Sequence, residues 1–283
     1  MSMEMKFKIL IENTTEENLI CEHGLSIYIE FDNKKILLDA GQSGDFISNS
    51  DNMGVALEEL DFCVLSHGHY DHSGGFEAFF DKYKEINIYA MKDVIKEYYS
   101  GSGGNIHYIG LSKEMYSKNK DRFNLLDGYT RLCDGVYAIP HNTKGLDKIG
   151  ERCKLYKRYV DTYVGDDFLH ELSLVFDTPK GIVIFNSCSH GGVKNIVDEV
   201  MDKFKDKKLY AFIGGLHMKG MQDGAEICIY SDDEVRGLCE YMMENDIAKL
   251  YTGHCTGNKA YEKIKIIMKD KVEYISTGKI ITI

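Results

Sequence analysis

Three histidines and an aspartate fall within six positions in the run Leu65-Ser66-His67-Gly68-His69-Tyr70-Asp71-His72-Ser73-Gly74-Gly75. Imidazole and carboxylate are the donors that Zn²⁺ and similar first-row ions prefer. Crowding them together without a cation costs desolvation and leaves lone pairs unmatched. Alternation at 67 and 69 sets both rings on one side of an extended loop, and Asp71 and His72 then turn toward a second position as a helix opens at Gly74-Gly75. Two more histidines share this setting. Phe185-Asn-Ser-Cys188-Ser-His190-Gly-Gly192 and Tyr251-Thr-Gly-His254-Cys255-Thr-Gly257 each place a histidine after an apolar run, in a glycine-flanked turn that leads into a helix.

The elements that must hold these residues are readable from hydrophobic period and punctuation. Residues 6–11 alternate, 25–31 and 35–38 form a hairpin around Asp32-Asn33-Lys34, and 61–65 (DFCVL) is a short buried strand that ends at the histidine run. Helical spacing covers 75–83 and 91–99. In the second half, strands at 172–177 and 181–186 flank a Thr178-Pro179-Lys180-Gly181 turn, before a helix at 193–204 and a strand at 209–213. Ser231 with Glu234 is a capping box for a helix running to about Asn245. A strand at 249–252, a helix at 259–268 and β structure over 272–283 complete the pattern. Strands grouped with helices in each half predict a layered α/β chain of two related halves, read as a single domain over 1–283. The Tyr-rich stretch at about 100–168 is less regular. It could be an insertion that caps a cleft, a homodimer contact or an ordinary decorated loop region.

Composition bounds the partners. The chain has 283 residues, with 34 Lys+Arg against 45 Asp+Glu and a net charge of −11. An acidic chain without a basic run is not built for nucleic acid or an anionic membrane surface, although a local pocket can still hold a small anion. The 8 cysteines include no CxxC pair and are expected to be reduced core residues. No apolar run approaches a membrane span, so a cytoplasmic protein is expected.

The histidine run resembles the hallmark HxHxDH of the metallo-β-lactamase-fold hydrolases, which His67, His69, Asp71 and His72 match in full. The resemblance implies an αββα sandwich of four layers. It also implies that His67 and His69 hold one metal ion while Asp71 and His72 hold a second. Asp39, in Leu38-Asp39-Ala40-Gly41, matches the family's D-x-G aspartate, which orients the ligand loop. His190 and His254 resemble the fold's late metal ligands. The set Glu22-His23-Gly24, Gly41-Gln42-Ser43-Gly44, Cys188-Ser189-His190, Gly214-Gly215-Leu216-His217 and Gly253-His254-Cys255 is similar to one subfamily. Its members carry the name 7,8-dihydropterin-6-ylmethyl-4-(β-D-ribofuranosyl)aminobenzene 5'-phosphate synthase, for a methanopterin precursor. One departure stands out: the aspartate that bridges both metals in much of the family has no counterpart here. His190 could replace one ligand, and Asp166, Asp167, His170 or Glu171 could supply another.

The resemblance implies a metal-dependent hydrolase with two divalent ions, Zn above Fe or Mn, that uses a metal-bound hydroxide on a small phosphorylated or otherwise anionic substrate. In that scheme Asp71 orients the hydroxide and His217 contacts substrate or protonates the departing oxygen. Glu22, His23, Gln42 and Ser43 line the pocket, and the glycine turns at 41–44, 191–192 and 214–215 expose backbone N–H groups near the sheet edge, of which one at a helix N-terminus could bind phosphate. His107 and His141 have no assigned role. A pterin-pathway synthase and a non-catalytic metal-binding sensor are the alternatives. A diiron oxidoreductase is disfavoured because His69 stands where that branch has Glu, and a nuclease because the chain lacks a basic arm.

Overall fold

The computed structural model describes residues 4–283. Asp32 and Asn33, at the tip of the first hairpin, both adopt left-handed backbone (φ 44° and 64°). That conformation suits a two-residue turn and the twist of the flanking strands. It sets the register of Ser26–Phe31 against Lys34–Leu38, from Phe31 opposite Lys34 to Ile27 opposite Leu38. The hairpin lies within a sheet ordered Ile280–Thr282, Met5–Ile11, Ser26–Phe31, Lys34–Leu38, Phe62–Leu65, Ile88–Met91 and Phe123–Leu126. Its first members pair antiparallel, and from Lys34–Leu38 onward the pairing is parallel. The strand Met5–Ile11 takes Ile280–Thr282 as its outer partner, with Met5 and Ile283 exchanging both backbone hydrogen bonds.

A second sheet repeats this plan. Leu172–Thr178 and Gly181–Phe185 form an antiparallel hairpin, and Gly181–Phe185, Leu209–Ile213, Lys249–Thr252 and Val272–Tyr274 then run parallel. Val136–Pro140 and Thr130–Cys133 lie beyond the hairpin. The helices Val193–Lys203, Asp232–Glu244 and Asn258–Met268 bury Val197, Leu238, Met242 and Ile264 in one core with Ile184, Phe212 and Leu250. Ser231 caps Asp232–Glu244 with both bonds of the capping box present. Two compact units result. The first comprises the described residues up to Tyr129, Pro140–Leu172 and Ser276–Ile283, and the second comprises Thr130–Ile139 and Ser173–Ile275. Among the described residues, no helix is long and apolar enough to cross a membrane.

Two stretches differ from expectation. Residues 91–99 are not a helix: Ile88–Met91 is followed by a 3₁₀ turn at Lys92–Ile95 and a strand at Tyr98–Ser100. Val94 and Tyr98 have helical spacing, yet Tyr98 and Ser100 are buried on either side of Tyr99 because that strand pairs with Leu155–Tyr159. The stretch 100–168 is also more regular than its composition suggests. Its strands join Thr162–Gly165, Leu155–Tyr159, Tyr98–Ser100 and His107–Tyr108 into a four-stranded sheet. They are too short, and too mixed in burial, for period-2 alternation to register.

Candidate metal centre

In the first unit, chemistry gathers at the C-terminal ends of two neighbouring parallel strands. Lys34–Leu38 runs into Asp39, and Phe62–Leu65 runs into Ser66 and His67. Asp39 is fully buried and left-handed (φ 60°), a conformation that Asp tolerates better than most residues. Its Oδ1 accepts the Ser66 N–H at 2.7 Å, and its Oδ2 accepts the Ser66 hydroxyl at 2.6 Å and His72 Nδ1–H at 2.8 Å. Ser66 Oγ has one proton and gives it to Asp39, so its 2.8 Å bond with His67 Nδ1 must be donated by the ring. One carboxylate therefore fixes both tautomers. His67 and His72 each carry a proton on Nδ1 and a lone pair on Nε2, the form a metal ligand requires.

The rings are close. The His67 centroid lies 4.6 Å from that of His69 and 4.2 Å from that of His72, and all three side chains are buried. Burial, reinforced by the neighbouring His170, outweighs the pull of Asp71 and Asp166 and pushes the His69 pKa from 6.5 down to about 3. His69 is thus a neutral donor at any physiological pH. This has a measurable consequence for metal-free protein. Below pH 6.5 the unfolded chain binds a proton at His69 that the folded chain refuses, so stability falls as pH drops from 6.5 toward 3. The full slope is about 1.4 kcal/mol per pH unit. Urea midpoints measured at pH 7 and pH 5 should differ accordingly, and equal midpoints would contradict the assignment.

Asp71 Oδ2 lies 3.7 Å from His72 Nε2 and 3.3 Å from His23 Nε2. The His23 ring is half-exposed and Gln42 is exposed. Glu22 serves the loop instead, since its Oε1 accepts the N–H groups of Gln42 and Ser43, each at 3.0 Å. Ser43 Oγ in turn accepts the Asp45 N–H. Gly41 has φ 69°, and a Cβ there would meet Glu22 Oε1 at 2.7 Å, so only glycine suits the position.

Most of the N–H groups in the glycine turns at 41–44, 191–192 and 214–215 are bonded within the protein. Gly41 donates to Leu25 O, Gly192 to Ser189 O, Gly214 to Tyr251 O and Gly215 to Ser187 O, while the Glu22 carboxylate occupies the N–H pair at 42–43. Those donors are already engaged inside the protein.

The residues offered as replacement ligands are largely committed. His170 Nδ1 accepts the Gly68 N–H at 2.9 Å, and its Nε2–H donates to Asp166 Oδ2 at 3.0 Å. Tyr98 packs on the same ring at 3.8 Å between centroids and donates its hydroxyl to Asp93 O. Asp166 also accepts the Phe168 N–H, and Asp167 pairs with Lys157. The pair Asp166–His170 therefore grips the loop midway between His67 and His69. Sequence spacing hides this, because Gly68 and His170 are 102 residues apart. Replacing His170 with Ala should weaken metal binding by about 10–100-fold without removing a ligand, as for other residues that orient ligands. Titration against a chelating dye checks it, and unchanged affinity would refute the role.

In the second unit the parallel strands again end in reactive side chains. Gly181–Phe185 leads to Cys188 and His190, Leu209–Ile213 to His217, and Lys249–Thr252 to His254. The His190 and His217 rings are 4.4 Å apart. His217 and His254 both hold left-handed backbone at φ 51°, a conformation that costs energy and tends to mark functional turns. The Cys255 thiol donates to Cys188 O at 3.6 Å; burial resists charge on it, yet hydrogen bonding with Cys188 and His217 and the fields of His254 and His217 bring its pKa well below the ordinary value. Sequence reading passed over this cysteine, although it adjoins His254 in the same turn. In the first unit, the buried rings of His67, His69 and His72, with the Nδ1 protons of His67 and His72 set by the Asp39–Ser66 pair, fit a divalent first-row ion.

Comparison with known proteins agrees with this chemistry. The family model of the metallo-beta-lactamase superfamily matches residues 19–157. An uncharacterised protein of Methanocaldococcus jannaschii is 30% identical over 282 residues, spanning 98% of this chain and 99% of the other. A second protein of that organism, named 7,8-dihydropterin-6-methyl-4-(beta-D-ribofuranosyl)-aminobenzene-5'-phosphate synthase, is 29% identical over 92% of this chain and 90% of its own. Among solved structures, a metal-dependent hydrolase of the beta-lactamase superfamily is 23% identical, with a TM-score of 0.80 over 98% of both chains.

Proposed function

The chain belongs to the metallo-beta-lactamase superfamily and has its mixed α/β fold, and from that premise we propose that it is a metal-dependent hydrolase of small phosphorylated or otherwise anionic substrates. The observation that carries this reading is the Asp39–Ser66 network, which turns the Nε2 lone pairs of His67 and His72 into metal donors. Two divalent ions, with Zn the first candidate, would take His67, His69, Asp71 and His72 as ligands in the first unit, and His190 and His254 are the ligands that the second unit offers. Bound there, they would acidify a water and polarise the scissile group.

The protein's own residues do the rest. Asp71 orients the attacking water through its carboxylate. His217 donates a proton to the departing oxygen, a role that its hydrogen bond to Cys255 would help to orient. His23, half-exposed beside Asp71, and Gln42 contact the substrate. Since the glycine-turn N–H groups named above are already bonded, attraction for an anion comes from the metal charge rather than from the backbone.

A second reading, a pterin-pathway synthase, is favoured by the 29% identical relative of that name. Zinc-reconstituted protein assayed against phosphomonoesters, phosphodiesters, cyclic phosphates, thioesters and lactones separates the two. Turnover of a phosphoester supports the hydrolase. No hydrolysis of any of them, with formation of the ribofuranosylaminobenzene product from a dihydropterin donor, supports the synthase.

A further inference from the structure

Three donors of the second unit converge with no help from the HxHxDH loop. The Cys188 thiol, a ring nitrogen of His254 and the Cys255 thiol all lie within 4.8 Å of one another. Cys188 and His254 are 2% and 1% exposed. The turns that present them are pinned. Asn186 Oδ1 accepts the Ser189 N–H at 2.7 Å, and Ser189 Oγ donates to Gly215 O at 2.7 Å. Thr252 Oγ1 donates to Gly214 O at 2.8 Å, and Met218 N–H donates to Cys255 O at 3.0 Å.

Space for the second sulfur is built into the glycine pair. A Cβ on Gly215 would lie 2.3 Å from Cys255 Sγ, and one on Gly214 would lie 1.9 Å from Asn186 O. Two sulfurs and an imidazole form a soft donor set that favours Zn²⁺ over Mn²⁺ or Mg²⁺. A tetrahedral ion with sulfur at about 2.3 Å spaces its donors by about 3.8 Å, so closure onto an ion needs a shift of no more than about 1 Å.

We propose that the metal ion bound by His254 also takes sulfur from Cys188 and Cys255, which makes it a thiolate-ligated and zinc-selective ion. This rests on the reading of the chain as a metalloprotein and names the ligands that the missing bridging aspartate leaves open. The hydrogen bond from His217 then orients a ligand sulfur, as outer partners of metal ligands do.

The test uses the whole chain. Protein stripped of metal and reloaded with Co²⁺ should show an intense near-ultraviolet sulfur-to-cobalt charge-transfer band. The band should weaken in Cys188→Ser and in Cys255→Ser but persist in Cys133→Ser. Because either serine variant could fail to fold, X-ray absorption on unmutated zinc protein provides a second readout, with a zinc–sulfur shell expected at about 2.3 Å. Bound metal with only nitrogen and oxygen neighbours overturns the sulfur ligands and leaves the metalloprotein reading intact. Protein that binds no metal at all overturns both.

Discussion

Protein carrying His67→Ala together with His69→Ala is expected to purify without metal and to hydrolyse no substrate that the parent hydrolyses. Both rings are buried within 4.6 Å of each other, and His69 is held neutral by its surroundings, so together they offer two lone pairs that nothing nearby replaces. His170, whose ring lies 5.2 Å from that of His69, cannot step in. Its Nδ1 takes the Gly68 N–H and its Nε2 proton goes to Asp166. Metal content by mass spectrometry, with circular dichroism to verify folding, decides the matter. A folded double variant that keeps the parent's metal would remove the HxHxDH loop from the centre.

Asp39→Asn should have the next largest effect, although no proposed metal ligand is touched. An amide at this position can accept the Ser66 N–H on its oxygen. Its NH₂ group cannot accept from either the Ser66 hydroxyl or His72 Nδ1–H, as Asp39 Oδ2 does now. His72 is pushed toward the opposite tautomer, with a proton on Nε2 where the metal needs a lone pair. The expected result is a loss of metal affinity of about 10–100-fold, and a loss of about 1–3 kcal/mol in the stability of metal-free protein from mismatched buried donors. Asn accepts left-handed backbone as readily as Asp, so the φ of 60° does not confuse the comparison. Affinity by competition with a chromophoric chelator and stability by urea denaturation give the two numbers. An Asn variant with parental affinity would mean that the tautomers are set by something else.

The parts of this molecule that were legible in sequence are those fixed by neighbours along the chain. The hairpin at Asp32-Asn33, the buried strand before Ser66 and the capping box of Ser231 and Glu234 each depend on a few adjacent residues. HxHxDH is equally local. What sequence concealed are pairings between distant positions: Gly68 with His170, Glu22 with Gln42 and Ser43, and Cys188 with Cys255. Residues 91–99 failed for the same reason. Their helical spacing is real, but Leu155–Tyr159 supplies a strand partner that overrides it. The glycine turns looked like anion cradles because backbone donors cannot be seen to be occupied until their acceptors are located.

The edge of the first sheet has a consequence for biosynthesis. Met5–Ile11 is synthesised long before its outer neighbour Ile280–Thr282, which is made after the whole second unit. At about 5–20 residues per second, the interval between completing the strand Phe123–Leu126 and delivering Ile280–Thr282 is roughly 8–30 s. For that time the nascent chain presents an open strand edge next to a fully apolar core face, the kind of surface on which other chains nucleate aggregation. Translation speed and chaperone occupancy across the second half of the message, rather than the strength of any single contact, should therefore govern how much of this protein reaches its folded state.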